Sequence, residues 1–550
     1  MRWEILDTDA LGRIGKLEIK GKKMDTPNLF PVLHPYKNII SSSEFKKIGA
    51  QCVFTNSYII HQNANVKEQV LKRGLHKYLE FDGIIATDSG AFQQYMYNNT
   101  DFEINAEEIE RFQELIRSDF PVILDLPVQP NDDYDTVKKK IITTIDRAKN
   151  NIDRRTNPDC IWFGPIHGAK YLDLLEFSTV EMSKLDFGIL ALGGLVKYFL
   201  NYRYDLVLKA LLTVKKASIS NRPLHLFGLG LPQFFSLAIL CGCDLMDSAA
   251  YVLYAKENRY FTLSTGTKQL DELDEFPCTC PICLEYTPKE LRSLDKVKQT
   301  ELLAKHNLYI SFAELRTIRQ AIKEGNLWEL VEQRIRSHPT LVNALKSIKD
   351  NVALFEIHEK IYKPHGRLFV SSDSVNRPLI YRYVLKLNQY YRPPRCGKFL
   401  IILPELDVKG EYSPSIKNWL ENINENSIIP RKLLHVVFLS DFFGIIPLEL
   451  SYTFPMGQSE LIVLQEKENV AFQSTVKKVG TYLNTNLKHY DMCGLFIPDK
   501  IINQFNEITE FTKTGLMEKI TPLLKSKFNS KFTISNEITQ LLQFFKESLQ

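Results

Sequence analysis

Residues 224–247 read LHLFGLGLPQFFSLAILCGCDLMD. A short apolar run ends in glycines, a helical stretch follows, and a second apolar run ends in aspartate. Continuous apolar runs of this length suit strands buried on both faces. The same rhythm extends back to the start of the chain. LFPVL (29–33), CVFT (52–55), GIIATD (83–88), PVILD (121–125), CIWFG (160–164) and FGILALGG (187–194) precede LHLFGLG (224–230) and CDLMD (243–247). Eight such runs alternating with helices meet the requirement of a (β/α)8 barrel. A doubly wound open sheet is the competing arrangement. Helix starts are marked by Asn105 with Glu108 and by Ser178 with Glu181, the spacing of a capping box.

The pattern changes beyond residue 250. FPCTCPICLEYTPKEL leads into a long helical region in which Thr287, Pro288 and Glu290 supply an N-cap, a first-turn proline and a capping glutamate. The basic residues of SFAELRTIRQAIKEGNLWELVEQRIRSHP read as a solvated helix face. Residues 346–395 read as a helical connector ending in RPPRCG. A second α/β region follows over 396–550, with KFLIILP, LLHVVFLS and CGLFIP as strands and ENVAFQSTVKKVGTYLNTNLKHY as a long amphipathic helix. The tail from about 499 reads as helical.

The 550 residues are 44% hydrophobic and 24% charged, an ordinary globular balance that excludes a disordered or fibrous chain. No apolar run reaches the roughly 18–20 residues of a membrane helix. The N-terminal MRWEILDTDALG lacks a charged-then-apolar signal pattern, so the chain is expected in the cytoplasm. A net charge of +4 is too small to argue for nucleic acid by itself. Nine cysteines, an odd number, argue against a disulfide framework in a chain of this size.

Three of those cysteines cluster. Cys278, Cys280 and Cys283 put three thiolates on one tight knuckle, and His306, beyond 22 intervening residues, lies in an expected helix and could close a tetrahedron. Cys3His is a closed structural zinc set with no position left for water. The plainer alternative is three free cysteines in a loop.

Asp88, Asp125 and Asp247 each end an expected strand, where barrel enzymes build their sites. Each alone could be a loop cap. Together they suit a pair of carboxylates facing a glycosidic bond as nucleophile and acid/base. Gly90, Gly193, Gly194, Gly228 and Gly230 sit at the same ends and would let a flat ligand approach the backbone. Phe92 could stack on a base or pack in the core.

The stretches IIATDSGAFQQY, LGGLVKYFLNYRYD, CGCDLMDSAAYVLYAKENRYFT and FPCTCPIC with LLAKHNL resemble the archaeal tRNA-guanine transglycosylase family, from DALGRIGKLEI to about residue 345. The resemblance implies an irregular (β/α)8 TIM barrel over 1–345 with a zinc-binding subdomain at about 265–345. It implies replacement of a D-arm guanine of tRNA, at position 15, by 7-cyano-7-deazaguanine, in archaeosine biosynthesis. Residue by residue, Asp247 matches the nucleophile that forms a covalent aspartyl-RNA intermediate. Asp88, with Ser89 beside it, matches the acid/base carboxylate that also contacts the base. Asp125 matches the base-recognising aspartate, Phe92 the stacking aromatic, and Gly193 and Gly194 the lining of the base pocket. Cys278, Cys280, Cys283 and His306 match the ligands of one structural zinc. One departure is His167 in GPIHG, where the family usually carries glutamine; an imidazole and an amide offer different donors and acceptors.

The region 396–498 resembles the additional α/β domain of archaeal members. The small RNA-binding PUA module that usually follows is not apparent in 499–550, so a separate PUA-domain protein is an expected partner beside tRNA, guanine and a second copy of the chain. Two other activities share the resemblance: archaeosine synthase, which acts on the inserted base, and a non-catalytic tRNA-binding subunit. Asp88 and Asp247 within their full motifs favour the transglycosylase.

Overall fold

The computed structural model describes the chain apart from residues 92–104, 169, 407–412, 463–468, 504, 513–514, 550 and the side chains of 469–470. The structure is mixed α/β and divides into two compact units, Met1–Leu354 and Phe355–Gln550. No described helix is long and apolar enough to cross a membrane.

The first unit opens with an antiparallel sheet of β1 (Arg2–Asp9), β2 (Gly12–Ile19) and β3 (Lys22–Thr26). Eight parallel strands follow, one for each apolar run. They are β4 (Asn28–Pro31), β5 (Cys52–Asn56), β6 (Ile84–Asp88), β7 (Phe120–Pro121), β8 (Phe163–Ile166), β9 (Ile189–Leu192), β10 (Leu224–Leu226) and β11 (Leu245–Ser248). They form two arcs, β5-β6-β7 and β4-β11-β10-β9-β8. Single parallel bridges, Val32 to Phe54 and Val122 to Phe163, join the ends of one arc to the ends of the other.

Side chains alternate along a strand, so every second residue faces the same way. Phe30, Phe54, Ile84, Ala86, Phe163, Ile189, Ala191 and Leu245 share one hydrophobic core, and Leu17, Ile19 and Met24 of the first sheet pack into it. Two residues beyond that core layer, at the carboxyl ends of the strands, the same face carries Val32, Asn56, Asp88, Gly193 and Asp247, and His167 lies four residues past Phe163, just after β8 ends.

The helix Ala106–Leu115 starts where expected, with the Asn105 side chain accepting from the amides of Glu107 and Glu108. The capping box at Thr287 and Glu290 is also present. Ser178 is different. It lies buried inside the helix Leu172–Ser183 and caps nothing. Its Oγ accepts from the His167 amide at 3.2 Å, so its hydrogen-bonding capacity goes to the neighbouring strand end.

The chain then forms a hairpin, β12 (Arg259–Thr262) and β13 (Gly266–Gln269), a cysteine-bearing turn, and the long helix Lys296–Glu324. In the second unit a central sheet runs in the order 444–447, 434–440, 399–404, 492–496, 532–535, all parallel except the first strand. Residues 355–395 belong to this unit, where Phe369, Ile380 and Tyr383 sit in its core. The tail has the helices Gly515–Phe528 and Ile538–Glu547, but it is not wholly helical: Phe532–Ser535 pairs with Met492–Phe496 and widens the sheet.

Candidate active site

A cavity of about 460 Å3 opens at the carboxyl ends of the eight strands. Asp88, Asp125, His167, Gly193, Gly194 and Asp247 all line it, with Asn56 and apolar walls that include Val32, Phe199, Phe227 and Phe234. The structure thus brings together residues spread over 160 positions of sequence, from Asp88 to Asp247. Ser89 is fully buried and does not line the cavity, and its Oγ has no hydrogen-bond partner among the described residues. Phe92 lies outside the described residues.

Asp88 ends β6 in phase with Ile84 and Ala86 of the core. Asn56 donates its Nδ2 to Asp88 Oδ2 at 3.2 Å, while its Oδ1 caps the helix Ser57–Gln62 by accepting from the Ile59 amide at 2.8 Å. The cap therefore fixes which end of the amide faces the carboxyl. Ser57 Oγ holds the Asp88 carbonyl at 2.6 Å. Burial and the neighbouring charge of Asp125, with Asp247 adding to it, push the Asp88 carboxyl up to about 7, against the pull of the Gly90 and Ser89 amides. A carboxyl poised there exchanges protons near neutrality.

Asp125 follows β7 where the chain has left the sheet, and its Oδ2 pairs with His167 Nε2 at 2.6 Å. His167 is buried, and its Nδ1 has no partner among the described residues. A Cβ on Gly193 would stand 2.7 Å from His167 Cε1, so the imidazole itself leaves room only for glycine there. Asp247 projects from β11, and its Oδ1 accepts from His225 Nε2 at 2.8 Å and from the Gly228 amide at 3.1 Å.

Asn56 and His225 were not singled out from the sequence. The signal for both was the period of two: Asn56 is two residues past Phe54, and His225 is the inward residue between Leu224 and Leu226.

A second cluster lies at the hairpin and the long helix. One ligand atom from each of Cys278, Cys280, Cys283 and His306 falls within 4.8 Å of all the others, so the set could hold a metal ion. His306 Nδ1 is 3.4 Å from both the Cys280 and the Cys283 sulfur. A tetrahedral site with metal–sulfur bonds of about 2.3 Å and metal–nitrogen bonds of about 2.0–2.1 Å would place sulfur and nitrogen about 3.5 Å apart, so the donor set fits. His306 Nε2 donates to the Phe261 carbonyl at 3.0 Å, which leaves Nδ1 unprotonated toward the sulfurs. The Tyr260 ring stacks on His306 at 3.7 Å, and its hydroxyl lies 3.4 Å from Cys283 Sγ.

Comparison with known proteins identifies the family. The family described as queuine tRNA-ribosyltransferase matches residues 7–340. A tRNA-guanine(15) transglycosylase of Methanococcus maripaludis is 37% identical over 518 residues, covering 90% of this chain and 77% of that protein. Its namesake from Methanocaldococcus jannaschii is 36% identical over 513 residues, covering 92% and 75%. The one from Pyrococcus abyssi is 40% identical over 382 residues, covering 70% and 64%.

Proposed function

The chain belongs to the queuine tRNA-ribosyltransferase family, a family of transferases, and from that premise we propose that it exchanges guanine 15 of tRNA for 7-cyano-7-deazaguanine, as a step toward archaeosine. The observation that carries the reading is the convergence of Asp88, Asp125, His167 and Asp247 on one cavity. Its volume lies in the range of sites that take a small flat molecule. The two strand arcs and their bridges support a closed (β/α)8 barrel, in which a site at the carboxyl ends is the rule.

In this reading Asp247 attacks the anomeric carbon of the nucleotide. The carbon–oxygen bond forms as the glycosidic bond to guanine breaks, and an aspartyl-RNA ester results. Asp88, protonated near neutrality, gives its proton to the leaving base. The incoming deazaguanine returns a ring proton to Asp88 as its nitrogen displaces the ester. One glycosidic bond replaces another, so neither ATP nor a redox cofactor takes part. Asp125 and His167, which also line the cavity, would contact the base, and the target nucleotide must leave its stack to enter. Zinc is the proposed occupant of the Cys278, Cys280, Cys283 and His306 set. It would tie the hairpin and turn to the long helix, a structural role.

Asp247→Asn should fold and fail to form the adduct. Incubation with tRNA followed by denaturing electrophoresis reads the covalent species, and radiolabelled guanine reads the exchange. An Asp247→Asn protein that still formed the adduct would overturn the assignment. Contacts elsewhere on the tRNA must offset the cost of extracting the base, and a separate PUA-domain protein is proposed to supply them. Adding such a protein should raise tRNA affinity, and truncating the acceptor stem should abolish the gain.

A further inference from the structure

His225 sits at the centre of β10, fully buried, in a cage of phenylalanines. Its ring centroid is 4.9 Å from that of Phe227, 5.1 Å from Phe163, 5.9 Å from Phe30 and 6.0 Å from Phe54. In β10 and β11 it pairs with Leu245, two residues before Asp247 on the same inward face. The register of the sheet thus delivers Nε2 to Asp247 Oδ1 at 2.8 Å. A carboxylate oxygen accepts, so Nε2 donates. Nδ1 has no partner among the described residues. An aromatic hydrocarbon would fill this cage without stranding a polar atom, and burying a polar atom without a partner costs free energy. The hydrogen bond to Asp247 is the compensating contact that the cage shows.

The second donor converges on the same atom. Gly228, at a positive φ of 78° that favours glycine, aims its amide at Oδ1 at 3.1 Å. No described residue donates to Oδ2. We propose that His225 is a positioning residue for the attacking carboxylate: together with the Gly228 amide it clamps Asp247 Oδ1, fixes the rotation of the carboxylate and presents Oδ2 to the anomeric carbon. The inference rests on the reading of Asp247 as nucleophile. A clamp of this kind supplies orientation, which matters because attack needs the reacting atoms held in line at about 3–3.5 Å. The phenylalanine cage keeps water from the His225 end of the Nε2–Oδ1 bond, which leaves Asp247 as the ring's compensating partner while its carboxylate still reaches the cavity.

The test uses the full chain. His225→Phe fills the cage and removes the donor; His225→Gln keeps an N–H donor of similar reach. For His225→Phe, kcat for guanine exchange and the rate of adduct formation should both fall roughly 10- to 100-fold, with KM for tRNA unchanged. His225→Gln should recover most of that loss. If His225→Phe lacks a cooperative unfolding transition, His225→Met, of similar volume and without a donor, takes its place with the same expectations. Wild-type rates in the donor-free variant, or a Gln variant as slow as the Phe variant, would overturn the positioning role. Adduct formation by Asp247→Asn would instead overturn the nucleophile assignment, so the two failures are distinguishable.

Discussion

Asp88 is the residue whose chemistry depends most on its neighbours. Its carboxyl is pushed up to about 7 chiefly by burial, then by the charge of Asp125. The rate of exchange should therefore show an inflection near pH 7 that Asp88→Asn abolishes. Asp125→Asn should move that inflection to lower pH, because it removes the largest charge acting on Asp88; an unmoved inflection would show that another group titrates. Stability should follow the same logic. The folded state favours the protonated carboxyl, so this contribution is complete below the ordinary carboxylate range, about 3.9, and is lost as pH rises through 7. Asp88→Asn should gain stability relative to wild type between pH 5 and pH 8, which urea unfolding at the two values measures. Asp88, Asp125 and Asp247 were legible in the sequence because each ends an apolar run, and His167 only because it departs from the glutamine usual in the family it resembles. Asn56 and His225 were not, because an asparagine before a helix and a histidine between leucines have ordinary structural uses, and only the partner's position decides between uses.

At the scale of elements, the strands were legible because burial on both faces leaves continuous apolar runs. The helix start at Ser178 was misread because the capping-box spacing also arises inside a helix, where a serine oxygen can serve a neighbouring strand instead. Gly193, just past β9, tests the fit between elements. Gly193→Ala puts a methyl 2.7 Å from the His167 ring, so the imidazole must shift off Asp125. A loss of about 1–3 kcal/mol in stability and a raised KM for the free base are expected, by thermal unfolding and base titration. The cluster of Cys278, Cys280, Cys283 and His306, which could hold a metal ion, brings the turn to the long helix, and it was readable because its spacing is local on the cysteine side and its histidine falls on a helix. Cys280→Ser should lower both bound zinc and the unfolding temperature; metal analysis and calorimetry on the same preparations check the pair.

At the scale of the molecule, the two units have separate cores. Separate cores allow separate cooperative transitions. Calorimetry should resolve two, and a chelator should lower the one belonging to residues 1–354, which contain the metal ligands, while leaving the other in place. A chelator that shifted both equally would show that the units unfold together. The boundary between the units was not legible from composition. The segment 346–395 is polar and helical enough to read as a connector, but its first residues, to Leu354, belong to the first unit, and the buried Phe369, Ile380 and Tyr383 place the rest in the second core.

By itself the sequence determined the eight strands, the alternation with helices, the Cys278, Cys280, Cys283 and His306 cluster that could hold a metal ion, and the three carboxylates that end apolar runs. Each of these is written in local spacing: a run length, a period, a short motif. Tertiary structure decided which oxygen of Asp247 is clamped, why the Asp88 carboxyl stays protonated to about 7, and that His167 is engaged by Asp125. Those depend on distances between residues far apart in the chain, set by the sheet register, and on how much water the packed walls exclude.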